Sequence, residues 1–316
     1  MPANANRLHL WHDDIRQSVA LYNDWFIRYA PETYKREQQA ARKVVADILR
    51  ATDALRHIGA REIMRAPGMV PVLRMCCSPP LAVDRLMGLA GVTKSFIENL
   101  EEGKLPARMA AGDQATNCGA VAATIAAMLD TTLFPWVATG ETPTPQALEM
   151  ALSVVADRLA GSVADPLIRN AQERRQLDIL GAYLTAKGYQ PARLAPGTNL
   201  TTMPPGTWGE RMVVRGGKNA DLDIPIDAIV QPLQPRKLRM PLLIEAKSAG
   251  DFTNTNKRWK EEATKMVALR ERFGAGVEFV LLLGGYFGEK YLTHEVGAGI
   301  DFVWEHRIAD FDLIGL

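Results

Sequence analysis

Two apolar runs in the last third of the chain constrain its fold most. They are "MPLLIEAK" at 240–247 and "VEFVLLLGG" at 277–285, and a helical pattern at about 256–273, closed by Gly274, separates them. A continuous apolar run of this length is typical of a strand that is buried on both faces. Two such strands joined by a helix indicate a parallel crossover.

The neighbouring segments add a hairpin to this crossover. "DLDIPIDAIVQ" at 221–231 is typical of a strand, and "QPRK" at 234–237 predicts the turn before the next one. Three further elements are predicted around them: a helix from about 166 to 187 closed by Gly188, a short extended piece "QPARLA" at 190–195, and a last strand "IDFVWEH" at 300–306. We therefore predict an α/β domain with a mixed sheet.

The first half of the chain predicts helices. "DDIRQSVALYNDWFIRYA" begins with acidic residues and is expected to end before Pro31, which then starts a second helix, "PETYKREQQAARKVVADILRATDAL". An Ala-rich helix is expected at 114–130 and another near 145–160. The N-terminal region to about 162 is thus predicted to be all-helical.

Composition bounds the class of protein. The chain has 316 residues, 47% of them hydrophobic, and a formal net charge of +1, which suits a two-domain globular protein and leaves room for a local basic patch. Three cysteines are too few for a disulfide framework or a zinc site. With no signal peptide and no run long enough for a membrane span, a cytoplasmic protein is expected.

The strand at 240–247 ends in two opposite charges that share one face, Glu245 and Lys247. On the preceding strand Asp223 and Asp227 also share one face, and a hairpin would bring Asp227 near Glu245. Two carboxylates at one sheet edge repel each other unless a cation lies between them, and oxygen ligands with open water positions suit Mg²⁺. Lys247 could then orient an attacking water or stabilise developing negative charge.

Spacing alone does not decide this interpretation, because the chain contains a second Glu-x-Lys, Glu102-Gly103-Lys104. Asp84 even precedes Glu102 by the same interval that separates Asp227 from Glu245. That copy follows an amphipathic helix, where charges are normally solvated. Glu245 and Lys247 follow an apolar run, where charges are costly unless they are used or paired. A structural Glu–Lys salt bridge remains the alternative.

The arrangement resembles the PD-(D/E)xK nuclease superfamily, whose core has the same order of elements. The resemblance places Asp227, Glu245 and Lys247 on the catalytic positions, with Asp227 and Glu245 as metal ligands. Pro225 stands two residues before Asp227 and not next to it, so Asp223 is an alternative first ligand. In many such nucleases the first core helix also supplies a glutamate, and Glu173 is the candidate here. Its alternative is a solvated charge paired with Arg174 or Arg175.

Longer segments are similar to the XamI-type restriction endonucleases. They are "IPIDAIV", "LLIEAKSAGDFTNTNKRWKEEATK", "LLLGGYFGEKYL" and "GIDFVWEHRI" in the second half, and "SVALYNDWFIRYAPETY" and "PPLAVDRLMGLAGV" in the first. The resemblance implies a Mg²⁺-dependent type II enzyme that cuts duplex DNA at a short palindrome, with a partner methyltransferase that protects the host. A homodimer is expected, since a two-fold site is best read by a two-fold protein. The predicted domains are then a helical region at 1–162, for dimerisation, DNA contacts or both, and a catalytic domain at 163–316.

The loop after the charged strand is polar and basic. Residues 236–272 hold ten basic and five acidic side chains. Hydroxyl and amide groups can bind phosphates or base edges, and basic groups neutralise the DNA backbone. The candidate DNA-binding residues are Ser248, Thr253, Asn254, Thr255, Asn256, Lys257, Arg258 and Lys260. The alternative is an ordinary capped helix start with a solvated face.

A weaker signal lies in the first half. "LAGVTKSFIENLEEGKLP" resembles the second helix of a helix-turn-helix, in which Thr93, Lys94 and Ser95 would face DNA. A preceding helix and turn cannot be placed from the sequence, so the favoured alternative is a helix that only packs in the core. Two rival functions follow: a DNA-binding regulator that uses 85–105 with an inactive nuclease-like domain, and a structure-specific repair nuclease on the same core.

Overall fold

The computed structural model describes residues 3–193, 199–234, 240–253 and 255–316, without the side chains of 256–260. Ten α-helices lie in these ranges: α1 Leu8–Ala51, α2 Ala60–Arg65, α3 Val70–Met75, α4 Val83–Ala90, α5 Lys94–Glu101, α6 Ala111–Met128, α7 Pro135–Thr139, α8 Pro145–Ala186, α9 Thr255–Phe273 and α10 Glu289–Gly297. The strands within the same ranges are β1 Gln190–Pro191, β2 Thr207–Gly216, β3 Leu222–Gln231, β4 Leu242–Ala249, β5 Glu278–Gly285 and β6 Asp301–Trp304. Within the described residues, no helix combines the length and apolar character that a membrane span requires.

The chain divides into two compact units. The helical unit is Ala30–Ile168, and the sheet unit is Met1–Tyr29 together with Arg169–Leu316. In the helical unit, α2 to α6 pack around a core that includes Leu73, Leu86, Phe96 and Val121. The expected α/β protein with a mixed sheet and a helical N-terminal region is therefore confirmed.

The sheet has six strands in the order β1-β2-β3-β4-β5-β6. β3 runs antiparallel to both β2 and β4, whereas β5 runs parallel to both β4 and β6. The predicted hairpin and the predicted crossover are both confirmed; most of the predicted turn "QPRK" lies outside the described residues. This topology puts Asp227 of β3 beside Glu245 of β4. Both residues lie inside their strands, since β4 continues past the predicted end at Lys247 to Ala249.

Both faces of the sheet are covered, because alternate residues of β4 and β5 enter two separate cores. Leu243 and Leu281 point to the face on which α9 and α10 pack. Ile244 and Val280 point to the other face, which the C-terminal part of α8 covers. The continuous apolar runs are thus explained by burial on both sides.

Two predicted helix boundaries are wrong. α1 continues through Pro31 and α8 continues through Pro166, where the sequence predicted separate helices. A proline inside a helix leaves the carbonyl four residues earlier without its partner. Here Ile27 and Ser162 are both exposed, so water can satisfy those carbonyls and the helix continues. The predicted stop after α8 is confirmed, since Gly188 has a φ of +87°.

In the sheet unit, one strand and one α-helix were not predicted. β2 buries Trp208, Met212 and Val214, but its charged residues and glycines obscure the alternation. α10 is a nine-residue helix of mixed polarity, too short to give a clear period.

Candidate active site

The pairing of β3 with β4 brings Asp227 and Glu245 together. Ala228 pairs with Ile244, and the same antiparallel register continued by one residue sets Asp227 opposite Glu245. The backbone amide of Ala246 donates a hydrogen bond of 2.8 Å to Oδ2 of Asp227. Asp223, the alternative first ligand, instead forms an ion pair of 2.8 Å with Arg215 of β2.

The Asp227 carboxyl is in an environment that disfavours its charge. Burial and the nearby negative charge of Glu245 raise its pKa to about 6, against the hydrogen bond from Ala246 and the positive charge of Lys247. The charge of Glu173 adds to this increase. Clustered acids with perturbed pKa values are typical of functional sites and of cation sites in particular.

Lys247 is held by two carboxylates. Its Nζ lies 3.0 Å from Oε1 of Glu245 and 3.0 Å from Oε1 of Glu262, and its side chain is 17% exposed. Burial lowers the pKa of Lys247, but the charges and hydrogen bonds of the two glutamates outweigh it, so the net pKa is raised. The ammonium therefore stays protonated at neutral pH.

Three charged residues of this site were missed from the sequence. Glu262 of α9 is fully buried against Lys247, and Lys265, one turn further on, contacts Glu245 and donates a hydrogen bond of 3.3 Å to the carbonyl of Pro225. Glu295 of α10 is also buried. The only sequence signal was the i, i+3 spacing of Glu262 and Lys265, which a solvated helix face shows as often.

Asp227 and Glu245 could hold a metal ion. Oε2 of Glu245 is buried and has no hydrogen-bond partner within the described part of the chain, so this atom has an unused lone pair at the place where a cation is needed. Among the described residues, no group of three or more His, Cys, Asp or Glu side chains is arranged to hold a metal. A bound cation would complete its coordination with water and substrate oxygens, which suits Mg²⁺.

Glu173 and Arg211 lie beside this pair of acids. Glu173 of α8 accepts a hydrogen bond of 3.1 Å from Arg211 of β2, whereas Arg174 pairs with Asp178 and Glu210, and Arg175 pairs with Glu305. The alternative pairing of Glu173 with Arg174 or Arg175 is therefore wrong. Its charge nevertheless acts on Asp227, as the raised pKa of that residue shows.

The backbone of Arg211 is unusual. Its φ is +53°. β2 pairs with β3 at Glu210–Ala228 and again at Met212–Ile226, and the pairing skips Arg211, which stands opposite Asp227. A left-handed conformation in a non-glycine residue is uncommon and clusters at functional sites.

The predicted DNA-binding residues differ in how they are placed. Ser248 accepts a hydrogen bond from Gln172 and donates one of 3.1 Å to the carbonyl of Gly284. Thr253 is exposed, and Thr255 is buried with its hydroxyl on the carbonyl of Phe252 at 2.8 Å. The rest cannot be placed: Asn254 lies outside the described residues, as do the side chains of Asn256, Lys257, Arg258 and Lys260.

The second Glu-x-Lys is a surface pair. Lys104 and Glu102 are 2.8 Å apart, with side chains 65% and 63% exposed. The hydrogen bond and charge of Lys104 lower the pKa of Glu102, the reverse of what happens at Asp227. Burial thus separates the two copies, as their sequence context predicted.

Fold and site define an α/β protein that gathers acids and a lysine on two adjacent strands of a mixed sheet, an arrangement suited to metal-assisted hydrolysis. The family model described as "XamI restriction endonuclease" matches residues 53–304. The chain is also 43% identical to "Type II restriction enzyme SalI" of Streptomyces albus G over 312 residues, which is 99% of each chain. No solved structure gives a significant match.

The chain therefore belongs to the XamI restriction endonuclease family, which confirms the resemblance found in the sequence. A member of this family is a site-specific endonuclease, and hence a hydrolase.

Proposed function

We propose that this protein is a PD-(D/E)xK-type enzyme that hydrolyses phosphodiester bonds of duplex DNA at a short palindromic sequence and requires Mg²⁺. The observation that carries the proposal is the meeting of Asp227 and Glu245 next to a half-buried, protonated Lys247. Family membership supplies the restriction activity, and the site supplies a way to carry it out. Membership also argues against a regulator with an inactive nuclease-like domain.

Asp227 and Glu245 would hold the Mg²⁺ through their carboxylate oxygens. When bound, Mg²⁺ supplies positive charge that stabilises the charge developing on the phosphate. The raised pKa of Asp227 means that its carboxylate is only about half ionised at pH 6 before the metal binds. Glu245 would bind the Mg²⁺ through Oε2, the carboxylate oxygen that has no hydrogen-bond partner among the described residues.

Lys247 is suited to donating hydrogen bonds and not to accepting a proton, because its pKa is raised. An ammonium has three N–H donors, and Glu245 and Glu262 occupy two of them. The third can orient the attacking water or contact a phosphate oxygen. Glu173, whose charge reaches Asp227, is the candidate for a further carboxylate of the site.

A palindromic target implies a two-fold protein, so we expect a homodimer in which each subunit cuts one strand. The functional partner would be a DNA methyltransferase that modifies the same sequence in the cytoplasm of the host. Thr253, Lys257, Arg258 and Lys260 are the candidate contacts to the DNA backbone.

The first test is a digest of unmethylated phage DNA with purified protein, in Mg²⁺ or in EDTA. Discrete bands that depend on Mg²⁺ are expected, and sequencing their ends should give one palindrome. A Mg²⁺-dependent smear would contradict sequence specificity and favour the repair-nuclease alternative. Intact DNA in both lanes would contradict the proposed activity.

A further inference from the structure

The helical unit contains the helix and turn that the sequence did not resolve. α4 and α5 are eight residues each and are joined by three residues, 91–93. Gly91 ends α4 with a φ of +65°, and the hydroxyl of Thr93 caps α5 by accepting a hydrogen bond of 3.3 Å from the amide of Phe96. Two packed helices linked by a three-residue turn that contains glycine form a helix-turn-helix.

The inner face of α5 is fixed in place. Phe96, Ile97 and Leu100 are at most 1% exposed and lie in the core of the helical unit together with Leu86 of α4. These contacts explain the apolar half of the sequence pattern. They do not explain the polar residues on the opposite face of α5.

A bidentate ion pair ties α5 to its neighbours. Nε and Nη2 of Arg74, on α3, lie 2.8 Å and 2.7 Å from the two carboxylate oxygens of Glu101, and Nη1 of Arg74 donates to the carbonyl of Leu81. One guanidinium thus joins α3, the segment before α4 and the end of α5. An α5 held this rigidly can present its outer face at a defined orientation.

The outer face is polar and exposed from its first residue. Lys94, Ser95 and Glu98 are exposed on α5, Asn99 is half-buried, and Arg85 is exposed on α4. Lys94 lies 3.9 Å from Asp84 and 4.0 Å from Glu98, distances too long to hold its ammonium tightly. Arg85 has no ion-pair partner in the described ranges. These cations can reach phosphates, and the hydroxyl, amide and carboxylate groups match base-edge donors and acceptors.

We propose that α4 and α5 form a second DNA-contact element of this endonuclease, in which the start of α5 enters the major groove of duplex DNA. Lys94 and Arg85 contact phosphates, and Ser95 and Asn99 face base edges. The element takes no part in bond cleavage. It needs only that the enzyme binds duplex DNA, and it does not depend on the metal site proposed above.

The test measures binding by the full-length protein in EDTA, so that cleavage is not involved. Lys94→Ala and Arg85→Ala are compared with Lys43→Ala, which removes an exposed lysine of α1. A labelled duplex is titrated at several salt concentrations. It carries the sequence found in the digest or, if the digest gives none, a random sequence. Loss of one phosphate contact should lower the salt slope of log Kd by roughly one for Lys94→Ala and for Arg85→Ala, with no change for Lys43→Ala.

A direct contact is tested by placing photoreactive p-benzoylphenylalanine at position 95 or at position 43. Irradiation should cross-link the DNA from position 95 only. If neither slope changes and position 95 gives no cross-link while the protein still binds DNA, the proposal is overturned. DNA cleavage failing in the digest while position 95 cross-links would overturn the proposed activity alone. All substituted positions are exposed, and thermal melts should verify that the variants fold.

Discussion

Lys247 of β4 and Glu262 of α9 form an ion pair of 3.0 Å in which the glutamate is completely buried. A carboxylate taken out of water to this degree is costly unless its charge is used. Here it faces the ammonium that also contacts Glu245. In the proposed mechanism, Glu262 is therefore a positioning residue that would fix where the remaining N–H of Lys247 points.

Glu262→Gln should lower kcat by about 10-fold or more and leave KM for DNA unchanged, since supporting partners of a site contribute effects of this size. The pKa of Lys247 should also fall, because one of the two carboxylates that raise it is lost. Steady-state cleavage and NMR titration of ¹³C-methylated lysines measure the two effects. Glu261→Gln, an exposed neighbour on α9, is the control. A normal kcat in Glu262→Gln would show that the pair is only structural.

Lys247→Ala should reduce the cleavage rate by roughly 10²–10³-fold, the cost of removing one preorganised donor from an active site. Its matched control is Lys104→Ala, which changes the same motif where the pair is exposed and should leave the rate unaltered. Initial rates on supercoiled plasmid at saturating Mg²⁺ compare them. Equal rates for the two variants would remove Lys247 from the mechanism, provided that both melt like the parent.

The strands that carry the site were predictable because burial on both faces leaves an unbroken apolar run, as in β4 and β5. Two charges at the end of such a run point to a site, and the structure does bring Asp227 next to Glu245. β2 was not predictable, since its pattern is interrupted at Arg211, where the backbone turns left-handed. It pairs with β3 as a hairpin across residues 217–221, and this pairing depends on cross-strand packing that local propensity does not encode.

The supporting charges could not be predicted for a different reason. Glu262 and Lys265 stand in "KRWKEEATK", which is indistinguishable from a solvated helix face. Only the packing of α9 on the sheet decides which of its charges are buried. Likewise, α1 and α8 pass through Pro31 and Pro166 at places where the residues that carry the freed carbonyls are exposed, and exposure is a tertiary property.

The stability of the metal-free protein should depend on pH through Glu295. Burial and the charge of Glu262 raise the pKa of Glu295 from 4.5 to about 8, against a hydrogen bond with Tyr291 and the charge of Lys247. The folded state thus binds a proton that the unfolded state has lost between these pH values. The free energy of unfolding should fall, by on the order of a few kcal/mol, as pH rises through this window.

Glu295→Gln should remove the fall above about pH 6, because its amide cannot ionise, whereas the fall that the raised pKa of Asp227 causes below about pH 6 should remain. Urea denaturation from pH 5 to pH 9 in EDTA measures the free energy of unfolding. Glu289→Gln, exposed on the same helix, should keep the parental dependence. An unchanged pH profile in Glu295→Gln would assign the dependence to another group.

Gly285 should not tolerate a side chain. It ends β5 with a φ of +91°, and a Cβ built there would lie 2.2 Å from the carbonyl oxygen of Ala249 on β4. Its amide donates a hydrogen bond of 2.8 Å to the hydroxyl of Ser18, so the backbone cannot shift freely. Gly285→Ala should therefore lower the free energy of unfolding by about 1–3 kcal/mol, through strain and overpacking.

Gly297→Ala is the control, because nothing lies within 4 Å of its Cβ position and it belongs to α10, where alanine is favoured. Thermal and urea melts should show the first variant destabilised and the second unchanged or slightly stabilised. Equal stabilities would mean that the ends of β4 and β5 can separate enough to admit a methyl group, and hence that the edge carrying Lys247 is less rigid than its contacts imply.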